Sequence, residues 1–411
     1  MNSKAKSFLF SVIAVLLGFL IVLLALEIIL RFFPVFSGMP VNKQSEIYSF
    51  VPNTTIQRSL HWNMTGARKR QVNNFGFISD QAYVPASQTT NSTSVSKPLI
   101  AIIGDSYIEG MQVDYSNTTE ANLLKNCSDS ARIYSFGAQF APLSQYLSWA
   151  QYVGQTFTPK VMVVNIVGND FDESLLSHQI ASNGGGIPGM QFFEFTNGNT
   201  QLVVAPFVAD SFFKRMLRHS ALAQYLVRNV GIFNQINEYR NRENDSFEGN
   251  QEHFNAGSKN ASGQVRPAVR KKPKEFVGNS ERSYTPERLS LSQKAVDEFL
   301  KRLPTLANLP PQSIVLSVDA ERPQIYTAKG RQDLDSFFSV MRSYFIQQAR
   351  AKGFQVIDLR PAMIAQFNRT GEHFEFIDDN HWNAAGHQLL ANQLQQTSPI
   401  SSLCNPPKSV R

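Results

Sequence analysis

Three short strand-like runs, each closed by a glycine, constrain this chain more than any other feature. Leu99–Ile103 stops at Gly104, Arg132–Ser135 ends at Gly137, and Val161–Val167 stops at Gly168. Each has the length and residue types of a buried strand. Between them, Thr119–Leu124 and Ser144–Ala150 read as helices. A β-α-β-α-β order predicts a parallel sheet with helices on both faces. The alternation resumes later with a helix at 286–303, a strand at 313–318, a helix at 334–352, a strand at 354–359 and a last helix at 384–396. The expected fold class is therefore α/β, with three layers around a central parallel sheet.

The 411 residues suffice for one large domain with insertions or for two smaller ones. The net charge of +7 does not point to nucleic acid. Its clustered part, Arg266, Arg270, Lys271, Lys272 and Lys274, sits in a polar loop-like stretch with no nucleic-acid motif beside it. The two cysteines, Cys127 and Cys404, lack metal-ligand spacing. They read either as free thiols or, in an exported domain, as one disulfide tying down the C-terminal tail.

Residues 8–30 are almost wholly apolar and approach the roughly 20 residues of a bilayer span. Lys4 and Lys6 precede them, which keeps the N-terminus in the cytoplasm and sends the rest outside. A cleaved signal peptide is the competing reading, but its apolar core is usually only about 7–15 residues. An uncleaved anchor fits better. Glu27 lies near the outer end of the run, four residues before Arg31, a spacing that suits an ion pair.

The expected organisation is a cytoplasmic tip and anchor over 1–33, a lead-in over 34–97, and a catalytic-type domain over 98–400. An insertion at 178–290 interrupts that domain. It carries a glycine run at 184–186, a strand-like piece at 191–195 and a helix over 212–230. Residues 241–283 are polar and poor in large aliphatics, so disorder is expected there.

Ser106 follows Gly104 and Asp105 just past a central strand, where α/β sheets place their ligands. Near the other end, Asp378 and His381 lie three apart before a helix-like run. A serine nucleophile needs a base, and the base needs a third group to hold its tautomer. One loop supplies both. Taken singly, each piece has a plainer explanation. Gly104-Asp105-Ser106 is ordinary turn composition, Gly137 a strand-end glycine, and Asn169 a helix cap. Asp379 competes with Asp378 for the acid role. His387 reads as a surface residue of the closing helix, and His373 as a loop residue near the cleft. Asp105 is expected to bond within its own turn. Asp170 and Asp172 have a weak metal reading that no His or Glu cluster supports.

Together and in this order, Gly104-Asp105-Ser106, Gly137, Gly168-Asn169-Asp170 and Asp378 to His381 resemble the four blocks of the SGNH, or GDSL-type, serine esterases and acyl-transfer enzymes. The resemblance covers residues 98–395. It implies a flavodoxin-like three-layer fold behind one transmembrane helix, and a catalytic set of Ser106, Asp378 and His381. It also implies an oxyanion hole made by the backbone N–H groups of Ser106 and Gly137 and the side chain of Asn169. No cofactor or metal is expected. The lead-in piece Asn73-Asn74-Phe75-Gly76-Phe77 is similar to one found in anchored members. Two departures stand out. The third block lacks the residue between glycine and asparagine, and the insertion is long.

The resemblance implies ester chemistry on a small acyl group, such as acetyl on a cell-envelope glycan, in an enzyme anchored in the membrane and facing away from the cytoplasm. The same residues serve an acyltransferase that hands the acetyl group to a polysaccharide hydroxyl. A catalytically idle glycan-binding protein would also share the fold.

Overall fold

The computed structural model describes residues 3–91, 97–127, 129–196, 198–207, 211–233, 275–377 and 379–405. The chain divides into two compact units, 1–38 with 56–69 and 209–273, and 39–55 with 70–208 and 274–411. The lead-in at 34–97 and the insertion at 178–290 each contribute to both.

In the first unit, residues 3–30 form one helix, and its Lys6–Leu30 part is long and apolar enough to cross a membrane. The expected pair forms: Arg31 Nε donates to Glu27 Oε1 at 3.0 Å. Glu27 does more than pair. It also accepts the Ser220 hydroxyl at 2.7 Å and the backbone N–H groups of Ala221 and Leu222 at 3.1 and 3.0 Å. The single helix expected over 212–230 is broken. It runs Phe212–Arg218, stops, and restarts at Ala221, where the Ser220 hydroxyl accepts the N–H of Ala223 as a new cap.

The second unit holds a five-stranded parallel sheet: β1 Leu99–Gly104, β2 Arg132–Gly137, β3 Val161–Ile166, β4 Ile314–Val318 and β5 Gln355–Asp358. Their spatial order is β5-β4-β3-β1-β2, the flavodoxin-like arrangement. The three inner strands, β1, β3 and β4, are buried throughout because both faces of the sheet are covered. Ile100 and Ile102 of β1, Ile133 of β2 and Val163 of β3 join one core cluster with Leu123, Leu390 and Leu394. On the other face, helix Pro286–Ala307 packs on helices Leu143–Phe157 and Phe337–Ala351. Successive strand residues point to opposite faces, so a run buried throughout marks a sheet sandwiched between helix layers.

Two helices unread in the sequence complete this unit, Leu359–Thr370 and Ser398–Cys404. The second is tied to the end of helix Thr119–Cys127 by a disulfide between Cys127 and Cys404. Of the stretch expected to be disordered, residues 241–274 lie outside the described residues, and with them the basic cluster at 266–274. Residues 275–283 are ordered instead. Phe276–Val277 pairs with Ser280–Glu281 around Gly278 and Asn279, both at positive φ, as a tight hairpin turn requires.

Candidate functional site

β1 is central, β2 lies on one side of it and β3 on the other. The chain therefore reverses direction across the sheet between β1 and β3, and the crevice at their carboxyl ends is where such folds bind ligands. Ser106 opens a single helical turn at the end of β1. Asp105 caps that turn, its Oδ1 accepting the N–H of Tyr107 at 2.9 Å, as the sequence suggested. Gly104 is obligatory here, since a Cβ would come within 2.4 Å of Ile108 Cγ1. Gly137 pairs in register with Gly104 across β1 and β2. A Cβ on Gly137 would lie 2.5 Å from the backbone nitrogen of Glu109 and 3.0 Å from the Asp105 carbonyl. The glycine thus lets the β2 backbone close onto the serine's turn.

His381 sits on a short strand, Asp379–Trp382, that pairs with Glu375–Phe376. Its Nε2 is 2.7 Å from Ser106 Oγ. Its Nδ1 meets Asp379 Oδ1, and its backbone N–H donates to the same oxygen at 3.0 Å. Asp378, the acid that spacing suggests, lies outside the described residues. The carboxylate on the imidazole is that of Asp379. Residues two apart in a strand face the same way, which puts Asp379 and His381 on one side.

Asn169 follows β3, and its Nδ2 donates to Glu173 Oε2 at 2.9 Å. Its Oδ1 is buried without a partner among the described residues. One of the two amide hydrogens of Asn169 is thus engaged by Glu173. Burial pushes Glu173 up to about 8, with Asp172 and Asp105 adding to the rise. Asp105 itself is pushed up to about 6 by burial, against the pull of His381 and the N–H of Tyr107. Asp170 is buried and held well above the carboxylate range by burial first and by the charge of Asp105 next. It accepts the Tyr146 hydroxyl and the N–H of Val167, each at 2.8 Å, so it braces the turn that presents Asn169.

A cleft of about 620 Å³ has Asn169 and Asn279 on its walls, while Ser106 and His381 do not line it. Its walls are polar, with Asp172, Glu173, His178 and Arg288 among them, and Phe276 and Tyr284 as aromatic surface. Asp172 pairs with Arg288 at 2.7 Å, which explains its place without a metal. Among the described residues no cluster of His, Cys, Asp and Glu could hold a metal ion.

One histidine falls differently from its sequence reading. His387 is buried, not on the surface. The helix Ala384–Gln396 turns it against helix Thr119–Cys127, where Nδ1 lies 3.0 Å from the Thr119 hydroxyl. Burial and the nearby Arg70 charge push it down to about 3, so it stays neutral. His373 is half-exposed, its ring 4.1 Å from that of Tyr326.

A serine hydroxyl on Nε2 of an imidazole, with a carboxylate on Nδ1, is an arrangement that makes the hydroxyl a nucleophile. The carboxylate selects the tautomer with its proton on Nδ1, which leaves Nε2 free to accept the serine proton.

By sequence, the chain matches no protein-family model and no curated protein. By fold it is similar to solved esterases. An acetyl xylan esterase, AlAXEase, superposes with a TM-score of 0.35 and 11% identity over 72% of this chain and 96% of its own. A member of the lipolytic G-D-S-L family from Veillonella parvula gives the same figures, 0.35, 11%, 72% and 96%. A lipase/acylhydrolase from Enterococcus faecalis gives 0.35 and 12% identity over 76% of this chain and all of its own (100%). At that level the likenesses carry no argument about residues or substrate, and the site stands on its own geometry.

Proposed function

We propose that this chain is a serine esterase that acts through Ser106, His381 and Asp379. The observation that carries the reading is the unbroken line from Ser106 Oγ to His381 Nε2, at 2.7 Å, and from His381 Nδ1 to Asp379. Ser106 Oγ attacks the acyl carbon while Nε2 takes its proton. The alcohol leaves with that proton, and Ser106 carries the acyl group. Water then attacks this ester, again giving its proton to His381, and the acid departs as Ser106 regains its hydrogen. Asp379 holds the imidazole and stabilises its charged form. The oxyanion is assigned to the backbone N–H groups of Ser106 and Gly137 and the side-chain amide of Asn169, all at the carboxyl ends of adjacent strands.

The substrate in this reading is a small acyl ester, acetyl on a cell-envelope glycan, and the polar, aromatic-edged cleft suits a sugar better than a lipid chain. The apolar N-terminal helix supports a membrane anchor. Lys4 and Lys6 before it, and the Cys127–Cys404 disulfide, support a domain outside the cytoplasm. The test is acetate release by the purified full chain from a small acetyl ester, with and without a glycan acceptor. Release without acceptor supports the esterase. Transfer that needs the acceptor moves the assignment to an acyltransferase, and the absence of both release and transfer overturns the enzyme reading.

A further inference from the structure

The nucleophile and the base come from opposite ends of the chain, and the line between them is only as good as the alignment of their two elements. One buried junction sets that alignment. Tyr107, the residue after Ser106, is buried, and its hydroxyl donates to the carbonyl of Asn380 at 2.8 Å across 273 residues of sequence. Asn380 stands between Asp379 and His381. The same carbonyl accepts Nη1 of buried Arg322 at 3.1 Å.

The hydroxyl of Tyr107 is left no freedom. It accepts Asn279 Nδ2 at 2.7 Å and Arg322 Nη2 at 3.3 Å, so both its lone pairs are used and its proton goes to Asn380. Arg322 is fixed in turn. Nη2 lies 2.5 Å from Asp319 Oδ2 and Nη1 lies 3.2 Å from Glu375 Oε2. Trp382, next to His381, also donates its indole N–H to Asp319 Oδ1 at 3.2 Å. With two carboxylates balancing one guanidinium, the junction brings no uncompensated positive charge to His381.

We propose that Tyr107 and Arg322 are positioning residues that clamp the Asn380 carbonyl and so hold His381 in register with Ser106. The proposal rests on the esterase reading. Neither side chain bonds to Ser106 or His381, so neither takes part in proton transfer. Their effect is on distance, and misplacing a catalytic group by about 1 Å costs on the order of 10²-fold in rate.

The experiment is steady-state hydrolysis of p-nitrophenyl acetate by the full chain, with Tyr107→Phe, Asn279→Ala and Ser106→Ala beside the parent, each checked by thermal melt. Tyr107→Phe should lower kcat by about 10- to 100-fold while KM stays within about twofold. The acid limb of its pH profile should not move, because no charge has changed. Asn279→Ala, which frees the phenol to turn, should show the same split with a smaller loss of about 3- to 10-fold. A folded Tyr107→Phe with parental kcat, in a parent whose activity Ser106→Ala abolishes, overturns the clamp alone. A parent without turnover overturns the esterase reading and the clamp with it. If Tyr107→Phe does not fold, Asn279→Ala decides, and a parental rate there overturns the proposal.

Discussion

Asp379 stands two residues before His381 on one short strand, and a single carboxylate oxygen receives both the backbone N–H and the Nδ1 edge of that histidine. The pair is therefore a unit whose geometry is set locally, and the tautomer of the base follows from it. Asp379→Asn should cut kcat by about 10²- to 10⁴-fold in a folded protein, because an amide can favour the wrong tautomer. Asp378→Asn should cost under about tenfold. Hydrolysis rates of the two variants decide the matter. A larger loss at Asp378 would move the acid back by one residue.

Asn169 differs from the other two proposed oxyanion donors in being a side chain, and one that Glu173 holds. Asn169→Ala should lower kcat by about 10²- to 10³-fold, the usual loss for one oxyanion donor, with little change in KM. If kcat stays within about threefold of the parent, the asparagine is only a buried strut.

The Cys127–Cys404 bond joins two helices whose cysteines are 277 positions apart in sequence. Replacing both cysteines by serine should destabilise the folded chain by about 2–5 kcal/mol. Chemical unfolding of the parent and the variant measures this. A midpoint unchanged by the substitution would show that the bond does not form in the purified protein.

Glu120 gives stability a pH dependence. It is buried and accepts the Ser79 and Ser135 hydroxyls at 2.9 and 2.6 Å. Burial pushes it from 4.5 up to about 7. A raised carboxylate favours folding in its protonated form. Its contribution is full below pH 4.5 and is lost as pH rises through about 7. Glu173, up at about 8, acts in the same direction. Tm should therefore fall between about pH 5 and 8, and Glu120→Gln should flatten the fall. A Tm that rises over that window equally in both proteins would contradict this.

Much of this was legible in the sequence, for a physical reason. The inner strands β1, β3 and β4 are buried on both faces, so they read as near-continuous apolar runs that end abruptly where the chain turns. Ser106, Gly137 and Asn169 stand out in the sequence because they sit at or just past the ends of β1, β2 and β3, whereas His381 lies on a separate short strand and stands out only through the resemblance of its block. The proposed acid, Asp379, does not stand out, since choosing between Asp378 and Asp379 depends on the pleat of a four-residue strand that spacing does not reveal. The helix Leu359–Thr370 escaped because only Leu359 and Met363 in it are buried. His387 looked exposed because histidine is a polar residue type, and only the packing of its helix on Thr119–Cys127 hides it. The break at Ser220 depends on Glu27, which is remote in sequence.

The central claim is that Ser106 is the nucleophile. It is tested most directly by treating the full chain with a fluorophosphonate ester and locating the adduct by peptide mass mapping. The account predicts one adduct, on Ser106, formed in step with loss of ester hydrolysis and absent from His381→Ala. Full loss of hydrolysis with Ser106 unmodified, or an adduct on another serine, would contradict it.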